Sequence, residues 1–216
     1  MQILLIRHGE SEAIAGSSDA IDCALSPRGL SEAAAVAAAV AASGAVSRIL
    51  SSPYRRCLQT AEVIRRVVQA PAEVLPALHE HHHDPYPAGA WPLASRSQLA
   101  EAFPDFLLPA AMPETHWAAV PEDRQRLWQR ISGVVRDLLG RYETQAETRL
   151  AVVTHGAPAS VFVQAFCLWT NPLRAGVQID PGSVSVLRVE PDGRRVLAQL
   201  NVRPQSIANF QFPVGD

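Results

Sequence analysis

Short, uninterrupted apolar runs separated by stretches of helical spacing constrain this chain more than any other feature. QILLIR (2–7) and RLAVVTH (149–155) carry no polar alternation across their centres, and a run of that length and character fits a strand buried on both faces. Both stop in the same manner, the first at Arg7, His8 and Gly9 and the second at His155 and Gly156. Strands buried on both faces need helices on either side of them. The stretches between the runs supply those helices.

SPRGLSEAAAVAAAVAAS (26–43) reads as a helix with Ser26 as N-cap, Pro27 in the first helical position and Gly44 beyond its end. SRILSS (47–52) reads as a second strand. The spacing of Leu58, Ala61, Ile64 and Val67 makes a helix of residues 54–69. A third strand is expected at 72–78. From about 79 to 120 regularity gives way to Pro-, His- and Trp-containing sequence with a short helix near Ser97–Ala102, and compact domains seldom keep so long an irregular stretch without a use for it. A lid or specificity insertion is the expectation there. Further elements follow: a helix over Pro121–Tyr142, the strand 149–155, a helix over 157–168, and strands at 183–189 and 194–202 joined through EPDGRR as a hairpin. Alternating strand and helix implies right-handed crossovers. The fold class is α/β: a three-layer α/β/α arrangement with a mainly parallel sheet, helices on both faces, and an antiparallel contribution from the last hairpin.

At 216 residues the chain fits one domain, 1–216, with the insertion inside it. Nineteen Lys and Arg against 21 Asp and Glu give a net charge of −2, so no global field recruits nucleic acid or an anionic membrane. No apolar run approaches the roughly 20 residues of a bilayer span, and the opening lacks the basic start and long apolar region of a secretory signal. Cys23, Cys57 and Cys167 are odd in number and widely spaced, which suits a reducing cytoplasm. A cytoplasmic protein is expected, with no expectation of oligomeric state.

In open α/β sheets the ligand site lies beyond the carboxyl ends of the strands. Arg7 and His8, Ser51 and Ser52, and His155 all finish strands in this reading, so the two histidines meet at one sheet edge. The ordered series RHGES (7–11), DCALSPRGLSEA (22–33), SSPYRRCLQTAE (51–62), LHE (78–80) and VVTHG (152–156) resembles the histidine phosphatase superfamily, in the branch that holds phosphoglycerate mutases and broad phosphomonoesterases. That resemblance implies a nucleophilic histidine that becomes phosphorylated, at His8. It implies a cationic phosphate pocket of Arg7, Arg56 and His155, a proton donor at Glu80, and a phosphate-touching hydroxyl at Ser11.

General chemistry agrees with this assignment. A transferring phosphoryl group keeps negative charge on three equatorial oxygens, which fixed Arg and His donors can stabilise without a metal ion. Arg matches two phosphate oxygens with one planar fork. Neighbouring cations disfavour protonation of His8, as a nucleophile requires. The expected activity is metal-independent hydrolysis of a small phosphorylated substrate through a phosphohistidine, with no cofactor. A mutase that passes the group back to a bound intermediate, and a non-catalytic module that binds phosphorylated ligands, are the alternatives.

Several residues carry competing readings. Either Arg55 or Arg56 could face the site from a helix start, and only the resemblance selects Arg56. HEHHHD (79–84) could ligate zinc through His79, His81, His82, His83 and Asp84, although consecutive residues of an extended segment point to opposite faces. Asp84 is the reserve proton donor, because the residues after Glu80 depart from the family pattern. Ile14 stands where related chains often have a phosphate-holding Asn. Trp91, Trp117 and Trp128 read as packing, with Trp91 or Phe103 able to line an apolar part of the pocket. Glu122 and Arg130 read as structural partners, with Glu122 a candidate for the pocket wall.

Overall fold

The computed structural model describes residues 1–82, 93–112, 114, 121–143, 145, 147–169 and 176–204. In chain order the elements are β1 (Gln2–Arg7), α1 (Pro27–Ala42), β2 (Arg48–Ser51), α2 (Arg55–Val68), β3 (Ala72–Val74), a 3-10 turn (Pro76–Leu78), α3 (Arg96–Ala102), β4 (Phe106–Leu107), α4 (Arg124–Tyr142), β5 (Arg149–Thr154), α5 (Gly156–Phe166), β6 (Val184–Val189) and β7 (Arg195–Val202). The strands form one sheet in the order β4-β3-β2-β5-β1-β6-β7. β1 to β5 pair in parallel, β6 runs antiparallel to β1, and β7 returns antiparallel to β6.

β1 shows why the run had to be apolar throughout. Ile3 and Leu5 pack on one face with Ile131, Val135 and Leu138 of α4 and Phe162 of α5. Leu4 and Ile6 pack on the other with Val36 and Val40 of α1 and Leu58, Ala61 and Ile64 of α2. Successive side chains of a strand point to opposite faces, so a central strand between two helical layers must be hydrophobic at each position. Each fully buried Leu or Ile contributes about 1.5–3 kcal/mol. The three-layer α/β/α expectation therefore holds.

The main departures from expectation lie at the third strand and inside the insertion. The third strand ends at Val74, and residues 76–78 form a 3-10 turn instead. The Leu75 amide donates the last ladder bond, to the Ser51 carbonyl at 2.8 Å, and Pro76 has no N–H with which to continue. Within the expected insertion, α3 was legible, whereas the two-residue edge strand β4 was not. A strand that short leaves no periodicity to read.

α1 begins as its sequence predicts, with the Ser26 hydroxyl accepting from the Gly29 amide at 3.0 Å. That hydroxyl also donates to Glu10 Oε1 at 2.8 Å, and the Glu10 amide donates to Glu32 Oε2 at 2.8 Å. The loop after β1 is thereby fastened to the first turns of α1. Gly9 and Gly29 sit where the two backbones touch: a Cβ on Gly9 would collide with the Gly29 carbonyl, and one on Gly29 with the Glu10 carbonyl. The glycine of the RHG motif is thus a packing requirement for the loop that carries His8. Among the described residues, no helix is long and apolar enough to cross a membrane.

Candidate active site

Strand register brings the two histidines together. β1 and β5 pair with Arg7 opposite Thr154, and the His8 amide donates to the Thr154 carbonyl at 3.0 Å. The next residue on each strand is a histidine, and their ring centroids lie 5.1 Å apart at 69°. Both imidazoles are buried. On the other side of β5 the Ser52 amide donates to the Val153 carbonyl at 2.9 Å, which sets the Ser52 hydroxyl 2.7 Å from His155 Nε2.

The tautomers follow from the partners. His8 Nδ1 lies 2.7 Å from the Gly9 carbonyl, which can only accept, so Nδ1 carries the proton. Nε2 is therefore a bare lone pair, and it receives an N–H from Arg56 Nε at 3.2 Å. His155 Nδ1 faces Arg56 Nη2 at 3.1 Å; arginine only donates, so this nitrogen is bare too and Nε2–H donates to Ser52. Burial, and then the Arg56 charge, hold both imidazoles well below their ordinary pKa. Each is neutral near pH 7.

Arg56 is the hub of the site. It is buried, and its third N–H contact goes to the Ile21 carbonyl at 2.9 Å. Arg55, one residue earlier, is exposed, and its amide donates to Asp22 Oδ1 at 2.6 Å. Geometry thus selects between two arginines that local sequence leaves equivalent. Thr60, one turn along α2, accepts from the Gly9 amide at 3.3 Å and donates to the Arg56 carbonyl at 2.9 Å. The helix and the His8 loop are held as one piece.

Arg7 approaches along β1. Its Nη1 donates to the Ile179 carbonyl at 2.6 Å, while its Nε is buried with no hydrogen-bond partner among the described residues. Its guanidinium lies against Gly156, where a Cβ would stand 3.2 Å from Cζ and 3.3 Å from Nη1. The second glycine of the RHG and THG echo therefore makes room for the arginine of the first. Gly156→Ala should push that guanidinium aside and weaken inorganic phosphate binding about tenfold, the worth of one charged hydrogen bond. Titration calorimetry beside a thermal melt is the check; unaltered affinity would count against the phosphate-binding role expected of Arg7.

Glu80 arrives from a third direction. The 3-10 turn before it is tied to β5 by Thr154 Oγ1, which donates to the Leu78 carbonyl at 2.7 Å. From below, Arg130 Nη1 donates to the Ala77 and His79 carbonyls at 2.7 and 3.0 Å, and the same guanidinium makes a two-pronged ion pair with Glu122. Glu122 and Arg130 are the structural partners their spacing suggested, and they act as a bracket for the Glu80 segment. Glu80 Oε2 then lies 3.6 Å from His155 Nδ1, with Oε1 accepting from the His81 amide at 2.8 Å. Burial raises the Glu80 pKa against the opposing pull of that amide and of Arg56 and Arg7.

The expected site residues do not all converge. His8, Arg7, Arg56, His155 and Glu80 share one pocket. The Ser11 hydroxyl accepts from the Ile14 amide at 3.3 Å, closing its own turn, and is not hydrogen-bonded to that cluster. Phe103 packs on Phe106 at the edge of the core over α1 and α2, and Trp128 packs against the opposite core cluster. His83, Asp84, Trp91 and Trp117 lie outside the described residues. Two contributors escaped the sequence reading: Ser52 as the partner of His155, and Tyr54, a buried aromatic at the start of α2.

His8, His155 and Glu80 offer ligand atoms within 4.8 Å of one another, a combination chemically suited to zinc. Both imidazole lone pairs, however, face the Arg56 guanidinium, a fixed cation where a metal would sit. The Arg56 charge against both imidazole nitrogens opposes a resident cation there. The rival His cluster is dispersed among the described residues: His79 Nδ1 donates to the Glu80 carbonyl at 2.7 Å, His81 Nε2 to the Glu122 carbonyl at 2.9 Å, and His82 meets Tyr54.

The architecture is shared with solved phosphatases. The chain is similar to alpha-ribazole phosphatase from Shigella flexneri (20% identity, TM-score 0.68, all of both chains). It is similar also to mycobacterial glucosyl-3-phosphoglycerate phosphatase (22% identity, TM-score 0.64, 93% of this chain and 98% of that one). A third is phosphoserine phosphatase from Entamoeba histolytica, solved with phosphoserine (20% identity, TM-score 0.61, 93% and 96%). At such identities the likeness is one of fold. No curated protein matches the sequence significantly. The family model does match, over residues 3–202, and the chain accordingly belongs to the histidine phosphatase superfamily, branch 1.

Proposed function

We propose that the protein is a metal-independent phosphatase that hydrolyses a small phosphomonoester through a phosphohistidine on His8. One observation carries this reading: His8 Nδ1 is pinned to its own chain's carbonyl, so the bare Nε2 opens toward a guanidinium, with a carboxyl of raised pKa nearby. Phosphate oxygens are better acceptors for Arg56 than imidazole nitrogen, because both partners then carry charge. Substrate therefore draws the Arg56 donors onto its equatorial oxygens, and the Nε2 lone pair is left facing phosphorus.

The chemistry runs in two displacements. Nε2 forms a bond to phosphorus as the ester P–O bond breaks, and Glu80 gives its proton to the departing oxygen. Arg7 and Arg56 stabilise the charge on the three equatorial oxygens, and His155 joins them once the bound phosphate draws a proton onto its Nδ1. The Glu80 carboxylate then takes a proton from water, whose oxygen attacks phosphorus as the N–P bond breaks. Inorganic phosphate leaves, and both groups return to their starting protonation. Residues 79–120 serve in this reading as the specificity insertion of a single-domain enzyme.

The names of the three similar structures, all phosphatases, support hydrolysis over transfer. The buried thiols Cys23 and Cys57 and the half-buried Cys167, all unbridged, support a reducing, cytoplasmic setting. Phosphate release from a phosphomonoester panel should be unchanged by chelator, since positive side chains occupy the metal's role. Activity that vanishes in chelator and returns with zinc would sink the metal-independent mechanism. Isomerised 3-phosphoglycerate without phosphate release would instead make the protein a mutase.

A further inference from the structure

Tyr54 belongs to no part of the chemistry described above, yet three contacts meet on it. It is the residue before α2 and wholly buried. Its ring lies beneath the Arg56 guanidinium, with Cζ 4.7 Å from the ring centroid. The ring also stands edge-on to His155, centroids 5.0 Å apart at 81°. Its hydroxyl is 2.6 Å from His82 Nε2.

His82 lies two residues beyond Glu80, and its carbonyl accepts from the Glu122 amide at 3.0 Å. The Glu80 segment is therefore gripped from two sides. Arg130 and Glu122 hold it from the α4 side, and Tyr54 holds it from the side of the phosphate pocket. We infer that Tyr54 is a positioning residue with two separable duties: its ring orients Arg56 for phosphate, and its hydroxyl, through His82, sets the Glu80 segment against the leaving oxygen. This deepens the phosphatase reading and rests on it.

The two duties have different chemical origins. A guanidinium over an aromatic face is attracted by the ring quadrupole, more strongly where water is excluded, and that attraction holds the group over the ring. Arg56 makes its Nε and Nη2 contacts to His8 and His155 from this position, so the ring helps place the donors that phosphate requires. The hydroxyl contributes nothing to this. It joins α2 to a segment far away in sequence, and a small displacement of an acid relative to the bond it protonates is costly in rate.

Tyr54→Phe and Tyr54→Leu separate the duties. Inorganic phosphate binding is read by titration calorimetry, and turnover is read with β-glycerol phosphate, a poor leaving group, and p-nitrophenyl phosphate, a good one. Tyr54→Phe should keep phosphate affinity within about twofold and lower kcat about 3- to 10-fold on β-glycerol phosphate, the worth of one hydrogen bond. It should lose less on p-nitrophenyl phosphate, whose departing oxygen needs little protonation. Tyr54→Leu should in addition weaken phosphate binding about tenfold through the lost cation–π contact. In a cycle with His82→Ala, the double variant should be no slower than the slower single variant.

Phosphate affinity falling equally in both Tyr54 variants would overturn the inference. So would kcat losses that multiply in the double variant, or equal losses on the two esters. Should Tyr54→Leu fail to fold, Tyr54→Phe and the cycle still decide the hydroxyl's role. A wild-type protein that turns over no phosphomonoester would defeat the phosphatase reading, while phosphate affinity in wild type against Tyr54→Leu would still test the hold on Arg56.

Discussion

His8→Ala is expected to abolish the acid-labile, alkali-stable phosphoryl adduct and to lower kcat/KM by on the order of 10⁴-fold or more, roughly 5 kcal/mol of transition-state stabilisation. The magnitude follows from removing the nucleophile of a two-step displacement, for which no neighbour can substitute. His155 Nδ1 is also bare, but it faces Arg56 Nη2 and lies 3.6 Å from Glu80 Oε2. Binding should behave differently. The variant frees Arg56 Nε from its imidazole acceptor and keeps Arg7, Arg56 and His155, so inorganic phosphate should bind at least as tightly as to wild type. Quenched incubation with labelled substrate reads the first part and calorimetry the second. A variant labelled as strongly as wild type would remove His8 from the mechanism.

Replacing the proposed acid should have the next largest consequence. Glu80→Gln should lower kcat by about 10²- to 10⁴-fold on an alkyl phosphate, the usual contribution of a general acid, with a smaller loss on p-nitrophenyl phosphate. The pH profile gives a second signature. The proposed mechanism requires Glu80 protonated and His8 neutral. Burial raises the Glu80 pKa, and burial with Arg56 lowers that of His8, so both shifts widen the pH range in which the two working forms coexist. As pH rises through the Glu80 pKa the acid is lost, and as pH falls through the His8 pKa the nucleophile is lost. The kcat/KM profile should therefore be bell-shaped, and Glu80→Gln should erase its alkaline limb while leaving the acid limb. A variant that keeps both limbs would assign the proton donor elsewhere, Asp84 being the reserve candidate.

The same protonation logic bears on the His segment. Burial, followed by the charge of Arg130, lowers His79 to about 4. Burial, followed by His79, lowers His82 to about 4. Both are neutral when the enzyme works, so His82 meets the Tyr54 hydroxyl as an uncharged hydrogen-bonding ring. A sequence rich in histidine beside the acid suggested metal ligation. In three dimensions His79, His81 and His82 make hydrogen bonds with the Glu80 carbonyl, the Glu122 carbonyl and the Tyr54 hydroxyl.

What could be read from the sequence had local causes. Ser26 caps α1 because its hydroxyl reaches an amide three residues on, and Pro27 is tolerated because the first helical N–H has no partner to lose. The all-apolar β1 and β5 announce a layer on each side of the sheet. The order of the RHG, SSPYRR, LHE and THG segments, through family resemblance, named five residues that do share a pocket. The edge strand β4 was not legible, being two residues long.

The tertiary structure decided everything that depends on strand order and register. Because both faces of the central strands are apolar, the pattern cannot say that β5 lies between β1 and β2, nor that Arg7 is level with Thr154. Those two facts put one imidazole beside the other, choose Arg56 over Arg55, fix which nitrogen of His8 is bare, and bring in Ser52 and Tyr54. Hydrophobic burial is non-directional and specifies elements and layers. Hydrogen-bond geometry between residues about fifty to a hundred and fifty positions apart specifies the site, and no single segment carries that information by itself.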